Sequence, residues 1–217
     1  MPKYMIHCCK QREWYVHDYL LPSMYAQGIV DDDILIKEDL AEVGNLEACM
    51  QSFQWLSKKK GATWHLQDDV ILCKDFAERT RYLDETETGI MCGFTSEYDK
   101  HEKDRLEYVT PKDMWYSFCC IRIPNKLAGE CSKWFYDNKV KFDMFIKNKK
   151  YDDSVFKEFM ETFYPDMKVK NLIPNLVDHI DYLLGGSIAN NNRIKKQVRS
   201  LYWEDYDLIE QLEKSLQ

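Results

Sequence analysis

The stretch ATWHLQDDVIL, Ala62 to Leu72, sets two adjacent aspartates at the end of an apolar and aromatic run. The residues before them are apolar enough to form a buried strand. Because a carboxylate pair is strongly disfavoured in a protein interior without partners, Asp68 and Asp69 must be solvated, hydrogen-bonded or bound to a cation. The last option would make this end of the strand a binding site.

Two strand and helix pairs precede this strand. Apolar runs at Lys3–Cys9 and Asp33–Asp39 predict strands. Helical patterns follow at Trp14–Ile29, which Pro22 is expected to break or kink, and at Leu46–Gly61. Strand, helix, strand, helix, strand is the order of a parallel sheet with crossover helices. The chain is therefore predicted to be an α/β protein with a mostly parallel central sheet and flanking helices, in which ligands bind at the carboxyl ends of the strands.

The rest of the chain predicts more elements of the same two kinds. Helices are predicted at Cys73–Leu83, Asn125–Asn138, most of Lys141–Tyr164 and in the tail Arg193–Gln217, and strands at Thr88–Phe94, Asp113–Asn125 and within Met167–Ile180. The segment Thr95–Lys112 is polar and has no sustained period, which is typical of a long functional or disordered loop. We expect this loop to be a lid over an acceptor.

Length and charge restrict the domain organisation and the partners. At 217 residues, 45% of them hydrophobic, the chain is long enough for one sizeable core. We predict one domain over residues 1–190 and a helical extension packed on it at 191–217. The formal charge of −7 gives no broad attraction to nucleic acid or to an anionic membrane. Basic patches at Lys58–Lys60 and Arg193–Arg199 are either DNA contacts or solvated helix faces.

Cysteine usage and the lack of long apolar runs favour a cytoplasmic protein. None of the eight cysteines forms a CxxC pair of the zinc-binding kind, and most lie in apolar runs, so we expect free thiols in a reducing compartment. The first residues contain neither a long apolar core nor a small-residue cleavage site, so no signal peptide or anchor is expected. No run approaches the roughly 18 apolar residues of a membrane span.

Two groups of residues have the chemistry of a metal or phosphate site. Asp68 and Asp69 can bind Mg²⁺ or Mn²⁺ through oxygen, or one can cap a turn while the other faces solvent. His179 is suited to a transition metal such as Mn²⁺ or to a structural hydrogen bond. The segment Gly185-Gly186-Ser187 can bring backbone amides to a phosphate or simply form a flexible turn.

Two further candidates have ordinary structural explanations as well. Asp152 and Asp153 precede a helical run, where they can cap the helix or supply a general base that takes a proton from an acceptor hydroxyl. Arg12, which follows the first strand, is either a phosphate contact or an exposed loop arginine.

The order of these segments resembles the small GT-A-type glycosyltransferases of bacteriophages and bacterial surface-polysaccharide loci. The resemblance covers residues 3 to about 190, through YMIHCCKQRE, DILIKED, GNLEACMQSFQWL, WHLQDDV and IPNLVDHI with GGS after it. Its specific motifs are an acidic triplet, here Gln67-Asp68-Asp69, and a Pro-x-Leu-Val-x-His segment, here Pro174 to His179. Since Gln67 removes one carboxylate of the triplet, metal binding would rest on Asp69, with Asp68 facing the ribose or the metal.

The resemblance implies a GT-A-like nucleotide-binding sandwich that moves a sugar from a nucleoside-diphosphate sugar, a UDP-sugar in the first instance, to an acceptor hydroxyl. Together with the candidates above it gives Mn²⁺ or Mg²⁺ held by Asp69, His179 and Asp68, donor contacts from Arg12, Asp68 and Ser187, and Asp153 or Asp152 as the base. The implied acceptor is a hydroxymethylated base in phage DNA or a glycan, in the host cytoplasm if the protein is phage-encoded.

Two other classes of function remain open. A metal-dependent nuclease or phosphohydrolase would use Asp68, Asp69 and a further acid such as Asp153 on a phosphoester, with no sugar nucleotide. A non-enzymatic interaction module would use the aromatic tail SLYWEDYDLIEQL as a partner-binding helix, although the tail can equally be a docked C-terminal helix.

Overall fold

A mixed β-sheet with helices on both faces makes up the main body of the protein. The computed structural model describes residues 2–39, 43–95, 108–111, 118–146, 152–185 and 203–216. In these ranges the strands are β1 (Tyr4–Cys9), β2 (Ile34–Asp39), β3 (Ala62–Gln67), β4 (Val70–Leu72), β5 (Ile90–Cys92), β6 (Tyr108–Val109), β7 (Cys120–Pro124), β8 (Val169–Asn171) and β9 (Val177–His179). The α-helices are α1 (Glu13–Tyr15), α2 (Leu21–Ala26), α3 (Asn45–Leu56), α4 (Phe76–Thr86), α5 (Asn125–Asp137), α6 (Lys139–Ile146), α7 (Asp152–Phe163) and α8 (Tyr206–Ser215).

Most strands of the main sheet run in the same direction. The strand order is β2-β1-β3-β7-β5-β8-β6. β1 pairs in parallel with β2 and β3, and β5 pairs in parallel with β8, whereas β7 and β6 pair antiparallel with their neighbours. Consequently β1, β2, β3, β5 and β8 all end at one side of the sheet, which we call the carboxyl edge. The predicted α/β class is confirmed, and the sheet is mixed because β7 and β6 are reversed within it.

The predicted strand Ala62–Leu72 is two strands in the structure. β3 ends at Gln67, Asp68 and Asp69 form a turn, and β4 leaves the main sheet to pair antiparallel with β9. The change of sheet lets the two carboxylates converge on partners, which a continuous strand would prevent by pointing successive side chains to opposite faces. The aspartates therefore stand where the main sheet and the two-stranded sheet meet.

The helical segment after β1 changes its winding before Pro22. A 3₁₀ turn at Lys10–Arg12 leads into α1, a π-helical turn follows at Val16–Leu20, and α2 begins at Leu21. Since proline has no N–H to donate, the wider turn before Pro22 adapts the helix to the missing hydrogen bond. The predicted disturbance at Pro22 is a change of winding, and the segment ends near Gly28, where φ is +80°.

Each face of the sheet has its own apolar core. On the first face, Ile6 and Trp64 pack with buried side chains of α4 and α8, among them Phe76 and Leu212. On the second face, Ile121 packs with side chains of α3, α5 and α7. Both faces are covered, which is why β1, β3 and β7 read as nearly continuous apolar runs in the sequence.

The cysteines pack as small apolar groups within these cores. All eight are free thiols, and only Cys9 is partly exposed. Burial raises the pKa of the Cys8 and Cys9 thiols to about 12, so both are protonated at neutral pH. Within the described ranges, every helix is too short or too polar to cross a lipid bilayer.

Replacing Gly129 is expected to destabilise the fold where α5 crosses the chain after α3. A Cβ at Gly129 would lie 2.3 Å from Ser57 Cβ and 3.1 Å from Ser57 Cα, atoms that cannot rotate away. Gly129→Ala should therefore lower the free energy of unfolding by about 1–3 kcal/mol in urea denaturation, although alanine is the better helix former. Gly89→Ala is the control, because no atom lies within 4 Å of the position that its Cβ would take. Equal stability of the two variants would contradict the close approach.

Candidate active site at the carboxyl edge

The strand order brings Arg12 to the Asp68-Asp69 turn. β1 and β3 are parallel neighbours, so the residues that follow their carboxyl ends are adjacent in space. Arg12 ends the 3₁₀ turn after β1, and Asp68 and Asp69 follow β3. All three side chains are buried, with exposed fractions of 5%, 6% and 7%. The predicted loop arginine is thus an interior cation facing the predicted metal ligands.

A single guanidinium nitrogen contacts both carboxylates. Arg12 Nη1 donates to Asp68 Oδ1 at 3.1 Å and also to Asp69 Oδ2. The backbone N–H of Cys9 donates to Asp68 Oδ2 at 2.6 Å. Asp68 is therefore satisfied through both oxygens, whereas Asp69 Oδ1 is buried with no hydrogen-bond partner among the described residues.

The pairing of β4 with β9 places His179 next to Asp69. β4 and β9 place Val70 opposite His179, and the Ile180 N–H donates to the Asp69 carbonyl at 2.8 Å. In this position His179 Nε2 lies 3.1 Å from Asp69 Oδ2, and His179 Nδ1 lies 3.5 Å from Asp181 Oδ1. The imidazole is held between two carboxylates.

The electrostatic environment makes Asp69 and His179 an ion pair at neutral pH. Burial alone would lower the pKa of His179, but the Asp69 carboxylate, helped by Asp181, raises it to about 9. Burial alone would raise the pKa of Asp69, but His179 and Arg12 hold it below its usual range. The pKa of Asp68 is raised by burial and by the neighbouring charge of Asp69.

The residues of this cluster are of types that bind divalent cations, but no three of them have donor atoms that all lie within 4.8 Å of one another. Two ligands at right angles on an ion such as Mg²⁺, each about 2.1 Å from it, are about 3 Å apart, close to the separation of His179 Nε2 and Asp69 Oδ2. The unpartnered Asp69 Oδ1 offers a further oxygen. Three carboxylates face one guanidinium and one imidazole, so the cluster keeps a net negative charge even when His179 is protonated. Carboxylate oxygens suit Mg²⁺ or Mn²⁺, and an imidazole ligand favours the transition metal, Mn²⁺, of these two.

The predicted base, Asp152-Asp153, lies on the other face of the sheet. Both residues begin α7, and Asp152 is near Asn45, the first residue of α3 after the carboxyl end of β2. Burial and then the charge of Asp153 raise the pKa of Asp152 to about 7, and burial raises the pKa of Asp153 to about 6. The pair is at the carboxyl edge, but the structure does not join it to the Arg12 cluster.

The other predicted segments either fall outside the described residues or lie away from the site. Ser187, most of the predicted lid and the basic patch Arg193–Arg199 fall outside the described residues, as does the predicted domain boundary at residue 190. Lys58–Lys60 are exposed in the turn between α3 and the start of β3, which is the opposite edge of the sheet from the aspartates. This basic patch therefore does not border the candidate site.

Two contributors were missed by sequence reasoning. Asp181 faces His179 Nδ1, and the hydroxyl of Tyr15 donates to the Val70 carbonyl at 2.9 Å, which fixes the start of β4. Asp181 had a usable signal, because residues two apart in an extended segment lie on the same side. No sequence pattern indicated the role of Tyr15, since its partner is a backbone carbonyl far along the chain.

A second, more exposed group of possible ligands lies nearby. Donor atoms of Glu13, His17 and Glu38 all lie within 4.8 Å of one another. His17 is exposed and Glu38 partly exposed, with His17 Nε2 3.9 Å from Glu38 Oε1. Among the described residues this is the group whose donor atoms come close enough together to hold an ion, so it is the comparison that the buried cluster needs.

Sequence comparison gives no relatives that would assign the site. No protein-family model matches the chain, and no curated protein matches its sequence. The functional argument therefore rests on the geometry of the buried cluster.

Proposed function

We propose that this protein is a metal-dependent glycosyltransferase of the GT-A type, moving a sugar from a nucleoside-diphosphate sugar, a UDP-sugar in the first instance, to an acceptor hydroxyl. The observation that carries the proposal is the convergence of Asp68, Asp69 and His179 at the carboxyl edge. In open α/β sheets this edge is where nucleotides bind. Buried ionisable groups with shifted pKa values are characteristic of functional sites.

Asp69 and His179 would hold the metal, with Asp68 beside them. A divalent ion there supplies positive charge that neutralises the diphosphate of the leaving nucleotide. Asp181 Oδ1 lies 3.5 Å from His179 Nδ1, so a proton on Nδ1 would face this carboxylate, and Nε2 could serve as the ligand once it gives up its own proton. Arg12 is the cation available to the donor phosphates from the same cluster.

Asp153 or Asp152 would take the proton from the acceptor hydroxyl. A base works best when its pKa is close to the working pH, and the raised pKa values of these two carboxyl groups meet that condition. Asp153 is the more accessible of the two. The donor would then lie across the carboxyl edge, with its phosphates towards Asp69 and its sugar towards α7.

The acceptor would be a glycan hydroxyl or a hydroxymethylated base in DNA. DNA binding depends on cations that contact phosphates near the reacting group. Of the two basic patches in the sequence, Lys58–Lys60 lies at the opposite edge of the sheet from the cluster.

Thermal unfolding with UDP and UDP-sugars, with and without Mn²⁺, tests the proposal. A ligand at about 100 times its Kd should stabilise the wild type by roughly 2.7 kcal/mol, and only when Mn²⁺ is present. His179→Ala should lose this stabilisation, because it removes the imidazole ligand from the buried cluster. His17→Ala, which removes an exposed histidine beside Glu38, should keep it.

The opposite pattern would assign the cation to the exposed group instead. No stabilisation by any sugar nucleotide, together with Mn²⁺-dependent release of phosphate from a phosphoester, would replace the transferase with a phosphohydrolase.

A further inference from the structure

The guanidinium of Arg12 lies between the carboxylates of Asp68 and Asp69. Its Nη1 lies 3.1 Å from Asp68 Oδ1 and also contacts Asp69 Oδ2, while the side chain is only 5% exposed. A cation bound by Asp68 Oδ1 and Asp69 Oδ2 together would have to lie where Arg12 Nη1 now contacts these two oxygens. A guanidinium nitrogen and a divalent ion exclude each other there, through overlap and through like-charge repulsion.

The guanidinium has a clear role while no ion is bound. Two adjacent buried carboxylates without a counter-charge are strongly unfavourable, and Arg12 supplies that charge from within the chain. The ion pair keeps the turn after β3 in one arrangement. The same contacts mean that Arg12 has to leave its present position when a cation is bound by both aspartates.

A diphosphate beside the aspartates offers Arg12 another partner. Arginine binds phosphate oxygens through two parallel N–H groups, which a lysine ammonium cannot do. Arg12 ends a 3₁₀ turn next to the cluster, and its side chain would have to release Asp68 and Asp69 to reach a phosphate. Phosphates neutralised by a metal at Asp69 would come within reach of the released side chain.

We propose that Arg12 fills the cation position of the site in the ion-free protein and transfers to the donor diphosphate when a divalent cation enters. This inference rests on the proposed function. Arg12 therefore weakens metal binding in the absence of nucleotide and strengthens nucleotide binding once the metal is present. These two effects have opposite signs, which distinguishes them from a general loss of structure.

Calorimetric titration of Mn²⁺ and then of UDP tests the exchange. Arg12→Gln should bind Mn²⁺ without nucleotide at least about tenfold more tightly than the wild type, because a charge-assisted competitor is gone. In saturating Mn²⁺ the same variant should bind UDP about tenfold more weakly. Lys10→Gln removes an exposed positive charge from the same turn and should change either affinity by less than about threefold.

A variant that retains the charge keeps the test informative if Arg12→Gln does not fold. Arg12→Lys leaves an ammonium between the carboxylates, so Mn²⁺ should bind with near wild-type affinity while UDP binds more weakly. Equal Mn²⁺ affinity of Arg12→Gln and the wild type would overturn the exchange, although the proposed metal site would remain. Unchanged UDP affinity in both variants would overturn the transfer of Arg12 to phosphate. No Mn²⁺ binding by wild type or Arg12→Gln would overturn this inference and the proposed function together.

Discussion

Replacing Asp69 by asparagine is expected to lower the free energy of unfolding by about 3 kcal/mol and to abolish Mn²⁺ binding. The substitution preserves shape but removes the negative charge that Arg12 and His179 share. Removing one partner of a buried ion pair costs about 3–5 kcal/mol. The lower end is expected here, because Asp68 still pairs with Arg12 and Asp181 still faces His179. Urea denaturation at neutral pH measures the first effect and calorimetric titration with Mn²⁺ the second.

Asp33→Asn is the matched control for Asp69. Asp33 pairs with Lys3 at 3.3 Å at the start of β2, and this pair is partly solvated. Its loss should change the free energy of unfolding by less than about 0.5 kcal/mol and leave Mn²⁺ binding unchanged. If Asp69→Asn is as stable as the control and still binds Mn²⁺, the buried ion pair neither stabilises the fold nor contributes to metal binding.

Asp152→Asn is expected to stabilise the protein above neutral pH and, if Asp152 rather than Asp153 is the base, to slow sugar transfer by about 10²–10⁴. The pKa of Asp152 is raised to about 7, so the folded state holds this proton more tightly than the unfolded chain. Stability is then lost as the pH rises from about 4 to about 7, by on the order of 4 kcal/mol for such a shift. Asparagine does not titrate, so the variant should gain about that amount above pH ~7 and nothing below pH ~4.

The control for Asp152 is an aspartate at another helix start. Asp207 lies in the first turn of α8, pairs with Lys74 at 2.8 Å and has a lowered pKa, so Asp207→Asn should not stabilise the protein at any pH. Removal of a general base should reduce the transfer rate by about 10²–10⁴. A more stable and inactive Asp152→Asn would mean that the protein retains an unfavourable buried carboxylate for its chemistry. A variant with wild-type activity would restrict Asp152 to a structural role.

Strong periodicity made much of the fold predictable. β1, β2, α3 and α5 appear close to the residues expected, because the apolar spacing of each segment matches its own period. The break at Asp68-Asp69 was not predictable as a change of sheet, since apolar residues continue on both sides of it. The reversed direction of β7 was also hidden, because a strand buried on both faces has the same composition in either direction.

The candidate site was predictable in its residues but not in its contacts. Asp68, Asp69 and His179 stood out because polar groups interrupt apolar runs at those positions. The position of Arg12 between the aspartates depends on β1 and β3 being neighbours, which no local pattern encodes. The raised pKa of Asp152 depends on its burial near the start of α3, and burial of a charged residue at a helix start cannot be read from its neighbours in sequence.

The pairing of β4 with β9 also bears on the order in which the chain is made and folded. Asp69 leaves the ribosome well before the segment that carries His179, and contacts between such distant parts of a chain form late and slowly. A chain cut short before β9 would keep its Arg12 partner for Asp69 but have no imidazole. The complete cluster therefore forms only once β9 has been made.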